Sequence, residues 1–363
     1  MGILPWDEIP ETKEAPKSDH EEKVIASLEK SFDVNSNVDD IPEPDYGDIP
    51  EKQEVGIPGQ FYLTQSLIKQ LTDRFGEEKQ FCPHNIYHLY VLKDFKTRRS
   101  EPMIEGTFGE SLILGQVAKN EAVINRLRPN KSTNKPRVAE QRIIMQAERF
   151  QHIASIFQIN VIPGINVQVP VFKKFGNSVM LRGELDIFPT TIIWDDQLSL
   201  AIIDIKFTAD VNSTFGEYSW GDTEKVDYIQ ADFYHYLVRD FDLALNIKHG
   251  HEFNSRVGYK NIFTDFVRKV IENNDLKYIY MIFGYKKPDL ENQFQMINRT
   301  YIENNSDIRE RELVQRIRKS IAILSHSHSS GWPKRPNRDI CKNCPLNTQF
   351  GGPCKEPLKF QNV

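Results

Sequence analysis

The sequence predicts an α/β domain in which a mixed central sheet is flanked by helices. Two patterns carry that expectation. Apolar runs of strand type recur at 165–172, 179–188, 198–207, 277–283 and 294–302, and around them apolar residues recur at helical spacing. Strands interleaved with helices, in a chain of 363 residues that is 39% hydrophobic, are enough to build a sizeable core. No apolar run approaches the ~20 residues that a membrane-spanning helix needs.

Taken in order, the chain opens on a segment of different character. Residues 1–56 hold 16 Asp or Glu against 5 Lys or Arg, a charge of −11, so that 57–363 carries 41 basic against 35 acidic residues, or +6. Glu8-Ile9-Pro10-Glu11, Asp40-Ile41-Pro42-Glu43 and Asp48-Ile49-Pro50-Glu51 form an internal repeat. Proline and like charge oppose packing, so 1–56 reads as a disordered acidic tail that presents short motifs to a protein partner or serves only to solubilise. One domain, 57–363, follows. Helices are expected at 63–75, 104–128 and 139–157, then strands at 165–172, 179–188 and 198–207, with a hairpin turn at Asp195-Asp196-Gln197. Val226, Ile229, Phe233, Leu237 and Val238 recur at helical spacing over 226–241. Strands at 277–283 and 294–302 and a helix at 308–326 close the domain, and the His-Ser run 325–330 reads as a loop.

The chemistry concentrates on three of these elements. Leu200-Ala201-Ile202-Ile203 runs directly into Asp204-Ile205-Lys206, and strand periodicity puts Asp204 and Lys206 on one face. Asp186, in Gly183-Glu184-Leu185-Asp186, adds a carboxylate from the preceding strand. Charges rarely enter apolar strands unless they are paired or bind a metal. A divalent-metal site is one reading and an ion pair at a strand end is the other. Glu110, in Gly106-Thr107-Phe108-Gly109-Glu110, offers a third carboxylate on a helix whose glycines permit close approach. Gln230 and Tyr234 stand at i and i+4, so both can point the same way.

This order of residues resembles the RecB-like branch of the PD-(D/E)XK nuclease superfamily, whose restriction-endonuclease-like core it matches at Gly106 to Glu110, Gly183-x-x-Asp186, Asp204-x-Lys206 and Gln230-x-x-x-Tyr234. The resemblance spans roughly Ile57 to the C-terminus. It implies that Asp186 and Asp204 are metal ligands, that Lys206 acts near the attacking water and scissile phosphate, and that Gln230 and Tyr234 support the site and its DNA contacts. Many relatives place a histidine where this chain has Glu110, although phage-type members often use glutamate. Mg²⁺ or Mn²⁺ takes oxygen ligands, which Glu110, Asp186, Asp204 and the carbonyl of Ile205 can supply. The implied activity is a metal-dependent deoxyribonuclease, an exonuclease on single-stranded DNA or DNA ends, working in phage or bacterial recombination, repair or replication and therefore in the cytoplasm. A non-catalytic DNA-binding scaffold and an RNA-cleaving enzyme are the alternatives.

The four cysteines are Cys82, Cys341, Cys344 and Cys354. The cluster-bearing members of the same branch, CRISPR adaptation exonucleases and AddB nuclease subunits among them, hold a 4Fe-4S cluster with one cysteine before the nuclease core and three after it. That resemblance implies an iron–sulfur staple across the ends of this domain. The chain departs from the pattern in the length of the Cys344 to Cys354 segment, so structural Zn²⁺ on the same thiolates, or unlinked thiols, stay open. Disulfides are not expected, because no signal peptide begins the sequence.

A basic body suits a polyanion. Lys93, Lys96, Arg98 and Arg99, and Arg126, Arg128, Lys131, Lys135 and Arg137, are candidate phosphate contacts or simply solvated faces. The aromatics of Phe215-Gly216-Glu217-Tyr218-Ser219-Trp220-Gly221 either stack unpaired bases or anchor the loop to the core.

Overall fold

The computed structural model of the protein describes residues 61–94, 100–124, 127, 138–176, 179–194, 196–211, 220, 227–252, 257–285, 296–301, 307–335, 341, 344, 346 and 354. The acidic segment 1–56 lies outside them. So do Asp195, most of the loop 215–221, and all of the basic residues singled out above except Lys93.

The first element departs from the expected helix at 63–75. Phe61 and Leu63 are buried, and Tyr62–Thr64 forms a short strand, β1, beside a later strand. Only then does helix α1 (Gln65–Leu71) begin, because the Thr64 hydroxyl accepts the Leu67 amide as an N-cap. Helix α2 (Pro83–Ile86) starts after Cys82 and runs into a π-helical turn, Tyr87–Leu92. The expected helix at 104–128 is two helices, α3 (Glu101–Ile113) and α4 (Val117–Ile124). They break at Gly115, which takes φ +64 and lies where an added Cβ would come within 2.9 Å of the Pro163 ring. Helix α5 (Val138–Ile156) packs against α3.

Five further strands complete one mixed sheet: β2 (Val167–Phe175), β3 (Val179–Trp194), β4 (Gln197–Thr208), β5 (Lys277–Gly284) and β6 (Met296–Tyr301). The order is β1-β3-β4-β5-β6, with β2 on the other edge of β3; β1 and β3 are parallel, as are β4 and β5, and the remaining pairs are antiparallel. The hairpin turn falls where expected, Trp194 pairing with Gln197 and Asp196 taking φ +58. Between β4 and β5 lie α6 (Ile229–Val238), α7 (Leu243–Glu252), α8 (Tyr259–Ile262) and α9 (Asp265–Glu272), of which only α6 is predicted by the apolar spacing. Helix α10 (Asp307–Ser329) runs through the His-Ser segment that reads as a loop in sequence. There Ser327 is buried and its hydroxyl donates to the Ile323 carbonyl at 2.8 Å, so the serine is satisfied inside the helix. Gly331, at φ +69, follows its end.

Two apolar clusters cover the two faces of β4 and β5. Leu200, Ile202, Tyr278 and Ile282 pack with Phe233 and Leu237 of α6. Ala201, Ile203, Ile205, Met281 and Phe283 pack with Leu114, Phe150 and Ile153 from the α3 and α5 side. Among the described residues no helix is long and apolar enough to cross a membrane.

The feature that positions the site is a fork in the sheet. β2 occupies one edge of β3 from Val179 to Ile187. On the opposite edge β3 pairs with β1 at 180–182 and with β4 only from Ile187 onward. Residues 183–186 are left between the two, while β4 beyond Ile203 continues alongside β5, Asp204 facing Tyr280. β3 and β4 therefore diverge at Asp186 and Asp204.

Candidate functional site

Asp186 sits at the crotch of the fork, where the next ladder rung would have been. Its Oδ2 accepts the Ile205 N–H at 2.9 Å, so a side chain satisfies an amide that has lost its strand partner. In a strand the N–H and C=O of one residue share an edge, which directs the Ile205 carbonyl into the same gap. One turn of strand further, Asp204 is 1% exposed. Its Oδ1 accepts from Gln230 Nε2 at 2.6 Å, and its Oδ2 lies 2.5 Å from Lys206 Nζ. Both oxygens of the buried carboxylate are thus engaged, Oδ1 by the Gln230 amide and Oδ2 by the Lys206 ammonium.

Two helices close on the fork through glycines. Gly183 of β3 lies against α6 so tightly that a Cβ there would come within 2.5 Å of Leu237 Cδ1 and 2.7 Å of Tyr234 Cε1. Gly109 of α3 lies on Phe207, whose ring atoms would be 2.6 Å from its Cβ. Gly106 is under no such constraint, its nearest neighbour being 3.9 Å away. The close approach at Gly109 brings the next residue, Glu110, near enough for its charge to act on both Asp186 and Lys206.

The electrostatics record that convergence. Burial pushes the Asp186 carboxyl well up, and the charges of Asp204 and Glu110 push it further, against the opposing pull of Lys206 and the Ile205 amide. Burial alone would lower the Lys206 ammonium, yet Asp204, Asp186 and Glu110 together outweigh it and hold Lys206 above the usual lysine range. Burial raises the Tyr234 hydroxyl, and the nearby Asp204 and Asp186 raise it more. All six residues singled out in the sequence, Glu110, Asp186, Asp204, Lys206, Gln230 and Tyr234, thus gather at one fork. Sequence reading passes over Gly183 as a packing residue and over Tyr280, which flanks Asp204 on β5; a glycine inside an apolar strand was the available signal for the first.

Among the described residues, no group of three or more His, Cys, Asp or Glu side chains is already arranged to hold a metal ion. The donor set suits a hard cation: it is oxygens only, and it includes a carboxyl, Asp186, whose charge burial and the neighbouring acids disfavour and a cation would compensate.

The cysteines form a second gathering. Cys82 is the residue before α2, the Cys344 amide donates to the Cys341 carbonyl, and the Cys354 amide donates to Leu346. Cys341 and Cys344 are buried, and Cys82 and Cys354 half-buried. Burial pushes the Cys344 thiol up, and the other three cysteines push it further.

Of the loop expected to offer aromatics, Trp220 is the one described. It is 3% exposed with its ring 5.3 Å from that of Tyr280, which makes it an anchor rather than a free stacking platform.

No family model matches the chain, and no curated protein matches it.

Proposed function

We propose that the chain is a divalent-metal-dependent DNA nuclease built on a PD-(D/E)XK core, an exonuclease acting on single strands or DNA ends. The observation that carries this reading is the fork itself, where Asp186, Asp204 and Lys206 converge with Glu110 beside them. A phosphodiester is anionic and resists an anionic nucleophile, so its hydrolysis calls for positive charge and an oxygen-liganded cation in one place. Glu110, Asp186, Asp204 and the Ile205 carbonyl would hold Mg²⁺ or Mn²⁺, which when bound neutralises the phosphate and acidifies a water.

The chain's own residues have distinct parts in this reading. Gln230 holds Asp204 by one oxygen and Lys206 lies against the other, which a bound cation would have to share. Lys206, kept protonated by its three acidic neighbours, places an ammonium where negative charge grows in the transition state. Tyr234 keeps its proton and walls the acids on the α6 side. The four cysteines supply a separate, soft donor set, suited to a 4Fe-4S cluster or to structural Zn²⁺ joining Cys82 to the C-terminal segment.

Purified protein incubated with end-labelled single- and double-stranded DNA and RNA, with Mg²⁺, Mn²⁺ or EDTA, tests the reading. Metal-dependent shortening of DNA from its ends is expected, with Asp204→Asn and Lys206→Ala at least a hundredfold slower while still folded. Undiminished cleavage by folded Asp204→Asn rejects the site, and cleavage of RNA alone reassigns the substrate.

A further inference from the structure

Glu105 is the residue on α3 that the nuclease reading leaves without a task. It is 1% exposed, and Tyr285, itself buried, donates its hydroxyl to Glu105 Oε2 at 2.8 Å. A carboxyl buried in a helix must find hydrogen-bond partners, and an apolar residue there would fill the same space without that need. Its partner is well placed to transmit position. Tyr285 follows the last residue of β5, and its amide donates to the Thr208 carbonyl at 3.1 Å, two residues beyond Lys206 on β4. The same strand end is gripped from α5, where Gln146 Nε2 donates to the Gly284 carbonyl at 2.8 Å. α3 is thus fixed to the sheet at two points, by Gly109 seated on Phe207 and by Glu105 bonded to Tyr285. Glu110 follows five residues after Glu105, ~7.5 Å along the helix.

We propose that Glu105 and Tyr285 are positioning residues for Glu110: their buried hydrogen bond sets the height and rotation of α3 against β4 and so delivers the Glu110 carboxylate to the fork. Partners behind a metal ligand commonly matter at the level of 10-fold to 100-fold in affinity. The inference rests on the nuclease reading in that Glu110 is taken to bind the cation.

Mn²⁺ binding, followed through the paramagnetic signal of the free ion with Asp204→Ala as baseline, tests it without reference to cleavage. Tyr285→Phe and Glu105→Asp are each expected to weaken Mn²⁺ binding about tenfold, as Glu110→Gln does. Glu105→Gln, which keeps an acceptor oxygen of the same reach, should stay closer to wild type. In a Glu110→Gln background, Tyr285→Phe should have no further effect on Mn²⁺, because residues acting through one another are not additive. A purely structural bond would lower the melting temperature equally in both backgrounds and leave Mn²⁺ affinity alone. Wild-type affinity in both Tyr285→Phe and Glu105→Asp, or full additivity with Glu110→Gln, overturns the proposal and leaves the nuclease reading intact. If Tyr285→Phe is insoluble, Glu105→Asp carries the same comparison. Wild-type protein that binds no Mn²⁺ overturns both readings.

Discussion

Gly183 shows how little room the fork leaves. It lies inside an apolar strand, where glycine is otherwise a poor choice, and is explained by Tyr234 and Leu237 occupying the space its side chain would need. Gly183→Ala should therefore destabilise the protein by about 1–3 kcal/mol, the usual cost of overpacking a core. It should also slow cleavage by displacing Tyr234 and α6 from Asp204. Denaturant unfolding and the DNA assay measure the two effects separately, and an alanine variant of full stability would show that α6 is not seated on β3 as described. At Asp204 the same crowding acts through charge: one oxygen is committed to Gln230 and the other lies against Lys206.

Among the elements, α6 carries Gln230 and Tyr234, and it is held from two sides, by β2 and by α10. Lys173 on β2 donates to the Tyr236 and Arg239 carbonyls at its C-terminal end. Asp227, just before its start, makes a two-pronged pair with Arg316 of α10; burial alone would raise its carboxyl, and Arg316 together with Lys69 and the Ile229 amide more than offsets that. Arg309 and Glu310 of α10 pair with Asp232 and Arg239. Burial raises Asp232 to about 6 despite Arg309, and lowers His235 to about 4 with Arg309 adding to the effect. The signs are opposite. The folded state binds the Asp232 proton more tightly than the unfolded chain, so that group loses stability as pH rises from 3.8 to about 6. It binds the His235 proton less tightly, so that group loses stability as pH falls from 6.5 to about 4. Wild type should accordingly lose stability relative to His235→Gln on acidification, and relative to Asp232→Asn on the return to neutrality. Melting curves across that range check both, and parallel pH profiles would refute the assignment. The outer strand β2 shows a different kind of protection. Asn246 of α7 accepts the Phe172 amide at 2.7 Å and donates to its carbonyl at 2.9 Å, while Tyr259 donates to the carbonyl of Pro170. The free edge of β2 is thereby blocked against pairing with another chain. Asn246→Leu strands two buried backbone groups and should cost about 1–3 kcal/mol for each, with aggregation on partial unfolding, visible as light scattering ahead of the thermal transition.

At the scale of the whole molecule, the cysteines join what the sequence keeps far apart. Cys82 lies between β1 and the other five strands and Cys341, Cys344 and Cys354 follow β6, yet Cys82, Cys341 and Cys354 all act on the Cys344 thiol. If they hold one cluster, anaerobically purified protein should be brown and contain about four irons per chain. Replacing Cys82 with Ser should bleach it and lower the melting temperature by several degrees, as Asp204→Asn should not, because a metal bound only in the folded state contributes its binding energy to folding. One equivalent of zinc in colourless protein would favour the structural Zn²⁺ site, and a metal-free quadruple Ser variant that melts with wild type would dispose of the staple.

Much of this was legible in the residues alone. Period-two apolar runs located β2 to β6, helical spacing located α3, α5, α6 and α10, and the acid and base driven into β4 stood out, because charge is rarely buried unless it is paired or binds a metal. Alternation and spacing are local properties, and a local pattern reports an element. It does not report where two elements part. The fork between β3 and β4, the seating of α3 and α6 on Gly109 and Gly183, the burial of Trp220 and the Glu105–Tyr285 bond are settled by which surfaces meet in space. The same is true of β1, a strand of three residues whose pairing with β3 overrides the helical pattern that runs through it, and of the His-Ser run, which the packing of Ser327 carries into α10. The sequence by itself thus determined which residues are chemically unusual, and tertiary structure decided that they are neighbours, since which surfaces meet is set by close packing across the whole core and not by any local pattern.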